Sequence, residues 1–276
     1  MTFAGQTIWI TGASSGIGKA LALAFAAQGA RLVLSGRNEA ALGEVAAACG
    51  ETLVLPFETT DYHALPALAD IAWDWRGGVD CLVNNAGISQ RSLAVDTAFA
   101  VYERIVAVDL LAPIALTQTL LPRMVANGRG RLAFVSSIAG KVGVPLRTGY
   151  CAAKHGLIGY ADALRAETAH LGLSVHVLVP GSIRTDVSRN ALTADGSARG
   201  ASDKAIDNGI DPDAAAADML AAMLAGEREI VIAEATEAQM GEMRRTPDAL
   251  FDQMAALMAQ GYAERMNAER NRDATP

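Results

Sequence analysis

From Thr7 onward, short unbroken apolar runs alternate with longer stretches whose hydrophobic residues recur on a helical period. TIWIT at Thr7 to Thr11 precedes a helical stretch from Gly18 to Gln28, RLVLSG precedes one around Glu39 to Ala48, and TLVLPF precedes another before CLVNNAG. The order continues as RLAFVSS, a helix from Tyr150 to Leu171, SVHVLVPG, a helix from Asp211 to Leu224, and EIVIA. Short runs that are apolar at consecutive positions suit strands buried on both faces, the condition of a parallel sheet covered by helices. Asp211-Pro212 supplies an N-cap followed by a first-turn proline, and Gly226 supplies a stop. The pattern predicts one α/β unit over residues 1–235: a doubly wound Rossmann-like fold with a seven-stranded parallel sheet flanked by helices.

Two segments depart from the rhythm. Residues 186–209 are polar and rich in Gly, Ser and Asp, which predicts a mobile excursion on the rim of the sheet, placed to act as a substrate lid. Residues 236–276 read as a C-terminal helical extension in which Thr246 and Pro247 start a helix carrying Leu250, Phe251, Met254, Leu257 and Met258 on one stripe. Such a stripe is expected to pack against its own fold or a sister subunit; membrane contact is disfavoured because the opposite face is mixed in charge. Ile105 to Leu121 is interrupted by Asp109, Thr117, Gln118 and Thr119, so it reads as a buried core helix and no membrane span is expected. The N-terminus lacks a basic start followed by an apolar run, so no secretory signal is expected either.

Composition narrows the partners. With 276 residues and 51% hydrophobic positions the chain can build a large core. Against 23 Lys+Arg stand 30 Asp+Glu, a formal net charge of -7, so the basic surface needed for sequence-independent nucleic-acid binding is missing. Cys49, Cys81 and Cys151 are odd in number and far apart, which fits neither a disulfide framework nor a Cys-x-x-Cys metal site. A reducing, cytoplasmic setting and no metal are expected.

The chemistry starts at TGASSGIG, Thr11 to Gly18, between the first strand and the first helix. Gly12 allows the tight turn, Gly16 lets backbone approach a ligand, and Gly18 lets the helix pack close to the sheet, with Ser14, Ser15 and Ile17 filling the loop between them. The opening amides of that helix then face an anion. Where an NAD-binding protein places an acid at the end of the second strand, this chain has Gly36, then Arg37 and Asn38. An arginine there can pair with a 2′-phosphate, which points to NADP(H) rather than NAD(H); a solvated arginine at a strand end is the plainer alternative. Further on, Tyr150 and Lys154 lie four apart, hence on one helix face, where an ammonium beside a phenol favours its ionised form.

TGASSGIG, NNAG at Asn84 to Gly87, Ser136-Ser137, YCAAK at Tyr150 to Lys154 and PGSIRT at Pro180 to Thr185 recur in one order, and with them the chain resembles the short-chain dehydrogenase/reductase family over about residues 5–235. The resemblance implies that Tyr150 exchanges a proton with the substrate oxygen, that Ser137 hydrogen-bonds that oxygen, and that Lys154 also holds the nicotinamide ribose. It implies that Asn84, Ala86 and Gly87 line the adenosine side, that Glu58 stands where the family often has an aspartate near the adenine, and that Pro180, Gly181, Ile183 and Thr185 hold the carboxamide. Asn84 and Asn85 can also be read as simple turn formers. The fourth catalytic position, usually an asparagine, is Asp109 here. Pro113, four residues on, lacks the N–H that would bond the Asp109 carbonyl, so the helix break of the family is expected to persist. The Asp109 carboxylate is expected either to steady the Lys154 charge or to make only a helix-local hydrogen bond. Ser89, Gln90, Val142, Val144 and Leu146 are candidates for an apolar substrate pocket. The function implied is NADP(H)-dependent hydride transfer to and from a small carbonyl or alcohol, in a homodimer or homotetramer. A catalytically inactive dinucleotide-binding regulator and a sugar-nucleotide epimerase or dehydratase are the alternatives.

Overall fold

The computed structural model describes residues 2–242 together with Gln260, Gly261, Arg265 and Ala268; the helix expected to start at Thr246 lies outside the described residues. Seven strands, β1 (Thr7–Thr11), β2 (Arg31–Ser35), β3 (Thr52–Val54), β4 (Cys81–Asn84), β5 (Gly130–Val135), β6 (Leu173–Pro180) and β7 (Glu229–Ile232), form one sheet in the order β3-β2-β1-β4-β5-β6-β7. Every pairing is parallel. The apolar runs of β1, β2, β4, β5 and β6 are unbroken because both faces are covered, while the edge strands β3 and β7 are only partly buried. Ile8, Ile10, Leu32, Leu34, Cys81 and Val83 pack on one side with α1 (Gly16–Ala27), α2 (Glu39–Ala47) and α8 (Pro212–Ala225). Trp9, Val33, Leu82, Leu132 and Phe134 pack on the other, with α3 (Leu65–Asp74), α5 (Ala112–Ala126) and α6 (Thr148–Thr168). The buried Trp9 indole is satisfied by donating to Ser35 Oγ at 2.8 Å. Asp211 caps α8 as read, its Oδ1 accepting from Asp213 N–H at 2.9 Å, and Gly226 ends the helix at φ 81°.

The long central helix is broken. α4 (Phe99–Val106) passes through a π-helical turn at Ala107–Leu111 into α5, with Ala112 N–H reaching back to Ala107 O. The turn contains Asp109 and ends just before Pro113, where a helix cannot supply a backbone donor. Counted through, Phe99–Ala126 is long and apolar enough to cross a membrane, with a mean hydropathy of 1.7, contrary to the sequence-based expectation that no segment reaches that span. Its Val101, Ile105, Asp109, Leu116, Leu120 and Met124 are buried and it packs on α6 and α3, with 39% of its most apolar stretch buried inside the fold.

Residues 186–209 are more packed than their composition suggests. Ser188, Ala191, Leu192, Thr193, Arg199, Ser202 and Asp203 are buried, Leu192 bridges to Gln90, and α7 (Lys204–Asp207) closes the segment. The reason is electrostatic as much as apolar. Asp203 meets Arg91 at 2.7 Å, Arg147 at 3.2 Å, and Arg199, tying the segment to the loops after β4 and before α6. Burial alone would raise the Asp203 pKa, but Arg91, Arg147 and Arg199 outweigh it and hold the carboxyl below its usual range. Burial and the neighbouring Arg147 push Arg91 down to about 10.

Asp203→Ala would leave these guanidinium groups buried without their carboxylate, and is expected to cost about 3–5 kcal/mol in urea unfolding at neutral pH. Because the folded pKa of Asp203 is depressed, its contribution is present above the unfolded value of about 3.9 and is lost as pH falls through the folded value. The gap between wild type and variant should therefore close in acid.

Candidate active site

The carboxyl ends of β1, β2, β4, β5 and β6 open into one cleft of about 560 Å³. Ligands in open α/β sheets bind at this end, where strand order reverses, here between β1 and β4. The first wall is the glycine turn. Gly12 takes φ 66°, and a Cβ on Gly18 would sit 2.2 Å from the Gly12 carbonyl oxygen, so only glycine lets α1 start so close to the strand. Thr11 Oγ1 accepts from Asn85 N–H and Ala86 N–H at 3.0 and 3.1 Å, and Asn85 Nδ2 donates to Thr11 O at 2.9 Å, fixing the β4 loop against this turn. The N-cap of α1, Ser15, makes no side-chain capping bond and the first turn carries no acid, so the amides at this end of α1 are open to an anion.

Of the cofactor-side candidates, Gly12, Ser14, Ser15, Gly16, Ile17, Gly18, Arg37, Glu58, Ala86, Gly87, Pro180, Gly181, Ile183 and Thr185 line the cleft. Two sit elsewhere. Asn84, the last residue of β4, is 4% exposed and donates to Thr117 Oγ1 at 3.1 Å, a tie between strand and α5; its neighbour Asn85 lines the cleft instead. Strand alternation is the reason, since successive side chains point to opposite faces. Asn38 caps α2, accepting from Ala41 N–H at 3.1 Å, and borders an adjoining open concavity with Ser14 and Arg37. Arg37 stands 3.6 Å from Glu58, both largely solvent-facing, so the cation at this end has an acidic neighbour.

The reacting side chains converge at the other end. Ser137 caps a short 3-10 turn, Ile138–Gly140, its Oγ accepting from Ala139 N–H at 3.1 Å. That bond uses a lone pair and leaves the hydroxyl hydrogen free to donate into the cleft. Lys154, 4% exposed, donates to Val135 O at 2.9 Å, lies 3.3 Å from Asp109 Oδ2, and has its ammonium 5.6 Å from the centre of the Tyr150 ring. Asp109 is buried; its Oδ1 accepts from Ile88 N–H at 2.8 Å, and Oδ2 makes no hydrogen bond beyond its ion-pair contact with Lys154. Of the two roles left open for Asp109, the geometry therefore shows the contact with the lysine. Burial would lower the Lys154 pKa, but Asp109 and then Tyr150 outweigh it and raise it, so the group is held as an ammonium. Burial also pushes Asp109 above the usual carboxylate range, against the opposing pull of Lys154 and the Ile88 amide. Gly87 makes room for the pair: a Cβ there would lie 3.2 Å from Asp109 Oδ2 and 3.3 Å from Lys154 Nζ.

The substrate-side candidates divide. Ser89 lines the cleft, joined by Val187, Asn190, Leu192 and Ile206 from the covering segment. Gln90 is fully buried and accepts from Gly149 N–H at 2.9 Å, Val142 is buried in the core, and Val144 is packed beside it. Leu146, at φ 66°, faces a separate cavity of about 390 Å³ with Arg91 and Arg199. Val142, Val144 and Leu146 belong to the loop before α6, and Gln90, in the loop after β4, is held to the start of α6 through Gly149. Gly140 was not singled out by sequence: a Cβ there would be 2.4 Å from Ser136 Oγ and 2.8 Å from the Lys154 carbonyl, so it is where the serine turn meets the tyrosine helix. Gly140→Ala should force that junction apart, at a cost of about 1–3 kcal/mol in chemical denaturation, with both ends of the reacting group displaced.

Comparison with known proteins follows the same lines. Residues 6–196 match the family profile described as short chain dehydrogenase. The chain is 39% identical over 238 residues to Dehydrogenase/reductase SDR family member 7B of Danio rerio, covering 83% of this chain and 77% of that one. Among solved structures it is similar to a short-chain dehydrogenase/reductase from Burkholderia phymatum in complex with NAD, at TM-score 0.78 and 22% identity, over 87% of this chain and 93% of that one. It is also similar to a metagenomic short-chain oxidoreductase in complex with NADP, at TM-score 0.69 and 30% identity, over 84% and 98%. With a Rossmann-like sheet, a glycine turn, and Ser137, Tyr150 and Lys154 in one cleft, the chain belongs to the short-chain dehydrogenase/reductase family of oxidoreductases.

Proposed function

We propose that this protein is an NADP(H)-dependent oxidoreductase that interconverts a small carbonyl compound and its alcohol. The observation that carries the reading is the Lys154 ammonium, held by Val135 O and Asp109 and set beside the Tyr150 ring, in the same cleft as Ser137. The uncapped α1 terminus and the glycine turn suit a pyrophosphate, and Arg37 suits a 2′-phosphate in place of its exposed contact with Glu58. When bound, a nicotinamide dinucleotide supplies the hydride.

The residues of the chain do the rest. In reduction Tyr150 gives its phenolic proton to the carbonyl oxygen, and in oxidation it takes the proton back. Ser137 donates its free hydrogen to the same oxygen and holds it in place. The Lys154 ammonium stands beside the Tyr150 ring and, where proton transfer leaves a negative charge, supplies a positive one. Asp109 offsets part of that charge and keeps the buried lysine from standing alone. Val187, Leu192 and Ile206 give the substrate end an apolar cover, which favours an apolar carbonyl compound over a sugar nucleotide. Exposed Phe99 at the start of α4 and Leu111 in the π turn support self-association into a dimer or tetramer, and free Cys49, Cys81 and Cys151 support a reducing, cytoplasmic setting.

A panel of ketones, aldehydes and alcohols followed at the nicotinamide absorbance, with NADPH/NADP and NADH/NAD in parallel, tests this directly. Tyr150→Phe should lower turnover by about 10²-fold or more while leaving cofactor affinity nearly unchanged. Cofactor binding without turnover by the wild type would favour the inactive regulator instead. Arg37→Ala should weaken NADPH binding by about tenfold or more and leave NADH binding little changed; a wild type that prefers NADH overturns the arginine argument. Asp109→Asn removes the negative neighbour of Lys154, so the high-pH limb of alcohol oxidation should move to lower pH. An unchanged profile would reduce Asp109 to a structural role.

A further inference from the structure

The helix after β7 reaches back to the cleft. After β7, α9 (Ala235–Glu242) lays Met240 against the core, and a Cβ on its Gly241 would lie 3.3 Å from Ile138 Cδ1, in the turn that follows Ser137. Glu237 on the same helix clasps Ser182: its Oε2 accepts from Ser182 N–H at 2.7 Å and its Oε1 accepts from Ser182 Oγ–H at 2.8 Å. The Ser182 carbonyl is held in turn by Ile210 N–H at 3.0 Å, and Gly181 N–H donates to Ile232 O at 2.9 Å. Gly181 is the residue that admits the clasp, because a Cβ there would sit 2.1 Å from Glu237 Oε2 and 2.9 Å from Ala233 Cβ.

Ser182 itself is not a lining residue, but both its neighbours are: Gly181 and Ile183 belong to the wall that runs from Pro180 to Thr185. That wall follows β6, which pairs with β5 and so stands next to Ser137, while the Arg37 end of the cleft follows β2 on the far side of β1. A dinucleotide with its phosphates at the α1 terminus and its adenosine toward Arg37 must lay its other half along Pro180–Thr185. A carboxylate gripping a backbone N–H and a hydroxyl at once is a charge-assisted, two-point contact, strong enough to set the path of a turn.

We infer that Glu237 is a positioning residue: its carboxylate, delivered by the C-terminal helix, sets the Gly181–Ser182 turn so that the Pro180–Thr185 wall holds the reacting half of the dinucleotide beside Ser137 and Tyr150. The inference rests on the dinucleotide reading above and assigns the extension a task at the reacting end of the cleft.

The test compares wild type, Glu237→Ala and Glu237→Gln for binding of NADPH and of 2′,5′-ADP, the adenosine half alone, with thermal melting alongside and kcat and KM for one accepted ketone. Glu237→Ala should weaken NADPH binding by about tenfold and leave 2′,5′-ADP binding unchanged. Glu237→Gln should restore most of the loss, because an amide can accept from Ser182 N–H while its NH₂ donates to Ser182 Oγ. Equal weakening of both ligands, no weakening of either, or a Gln variant as impaired as Ala overturns the inference. Wild type that binds neither NADPH nor NADH removes the dinucleotide reading and this inference together. Wild type that binds NADPH beside an unshifted Ala variant removes this inference alone.

Discussion

The buried Lys154 ammonium is the constraint around which the site is arranged. It lies on α6, donates to the last residue of β5, and meets an acid in the π turn between α4 and α5. An isolated ammonium at this depth would be costly, so each element that supplies a partner must stay in register with α6. The π turn gains its reason from this. It brings Asp109 to Lys154 and to the Ile88 amide while Pro113 starts the next helical stretch without a backbone donor. Gly87 and Gly140 then have a common explanation: a methyl on either would press on the lysine pair or on the lysine carbonyl.

The central strands of this sheet were legible because they are buried on both faces, which makes each a short continuous apolar run in the sequence; the edge strands β3 and β7 carry similar runs although they are only partly buried. The family markers were legible for a related reason, since each is a local solution to a local problem: a strand-to-helix turn, an i to i+4 pair, a turn after a strand. What was not legible depends on contacts between distant residues. Asn84 and Asn85 look equivalent in sequence, and only the pairing of β4 with its neighbours decides which faces α5 and which the cleft. Gly140 gave no local signal at all, because the carbonyl it approaches belongs to Lys154.

Residues 186–209 show how composition can mislead. Gly, Ser and Asp in quantity read as a solvated excursion, yet Asp203 is the common partner of Arg91, Arg147 and Arg199, drawn from three separate parts of the chain. Those polar residues are the segment's anchors. The same clustering explains why Gln90 and Leu146 left the cleft: the loops that carry them are pulled toward the arginine cluster and the amide of Gly149. The segment thus reaches the cleft through Asp186, Val187, Asn190, Leu192 and Ile206, while its Arg199 and Asp203 are turned into the arginine cluster.

A net charge of -7 is no obstacle to binding a multiply anionic dinucleotide, because the glycine turn and the start of α1 offer neutral backbone donors and the cleft lining sets Arg37, Arg104 and Lys154 beside Glu58, Asp109 and Asp186. In the proposed reading the backbone amides at the α1 terminus meet the anion and Arg37 stands at the adenosine end, next to Glu58. Two of the acids near the cleft are spent on the protein's own groups: Asp109 on Lys154 and Ile88, Glu237 on Ser182. Each of these carboxylates is turned toward a backbone N–H of the cleft wall. An acidic chain can in this way use its charge to shape an anion site without repelling the anion, so long as each carboxylate is held by a partner of the protein's own, as Asp109 is by Lys154 and Glu237 by Ser182.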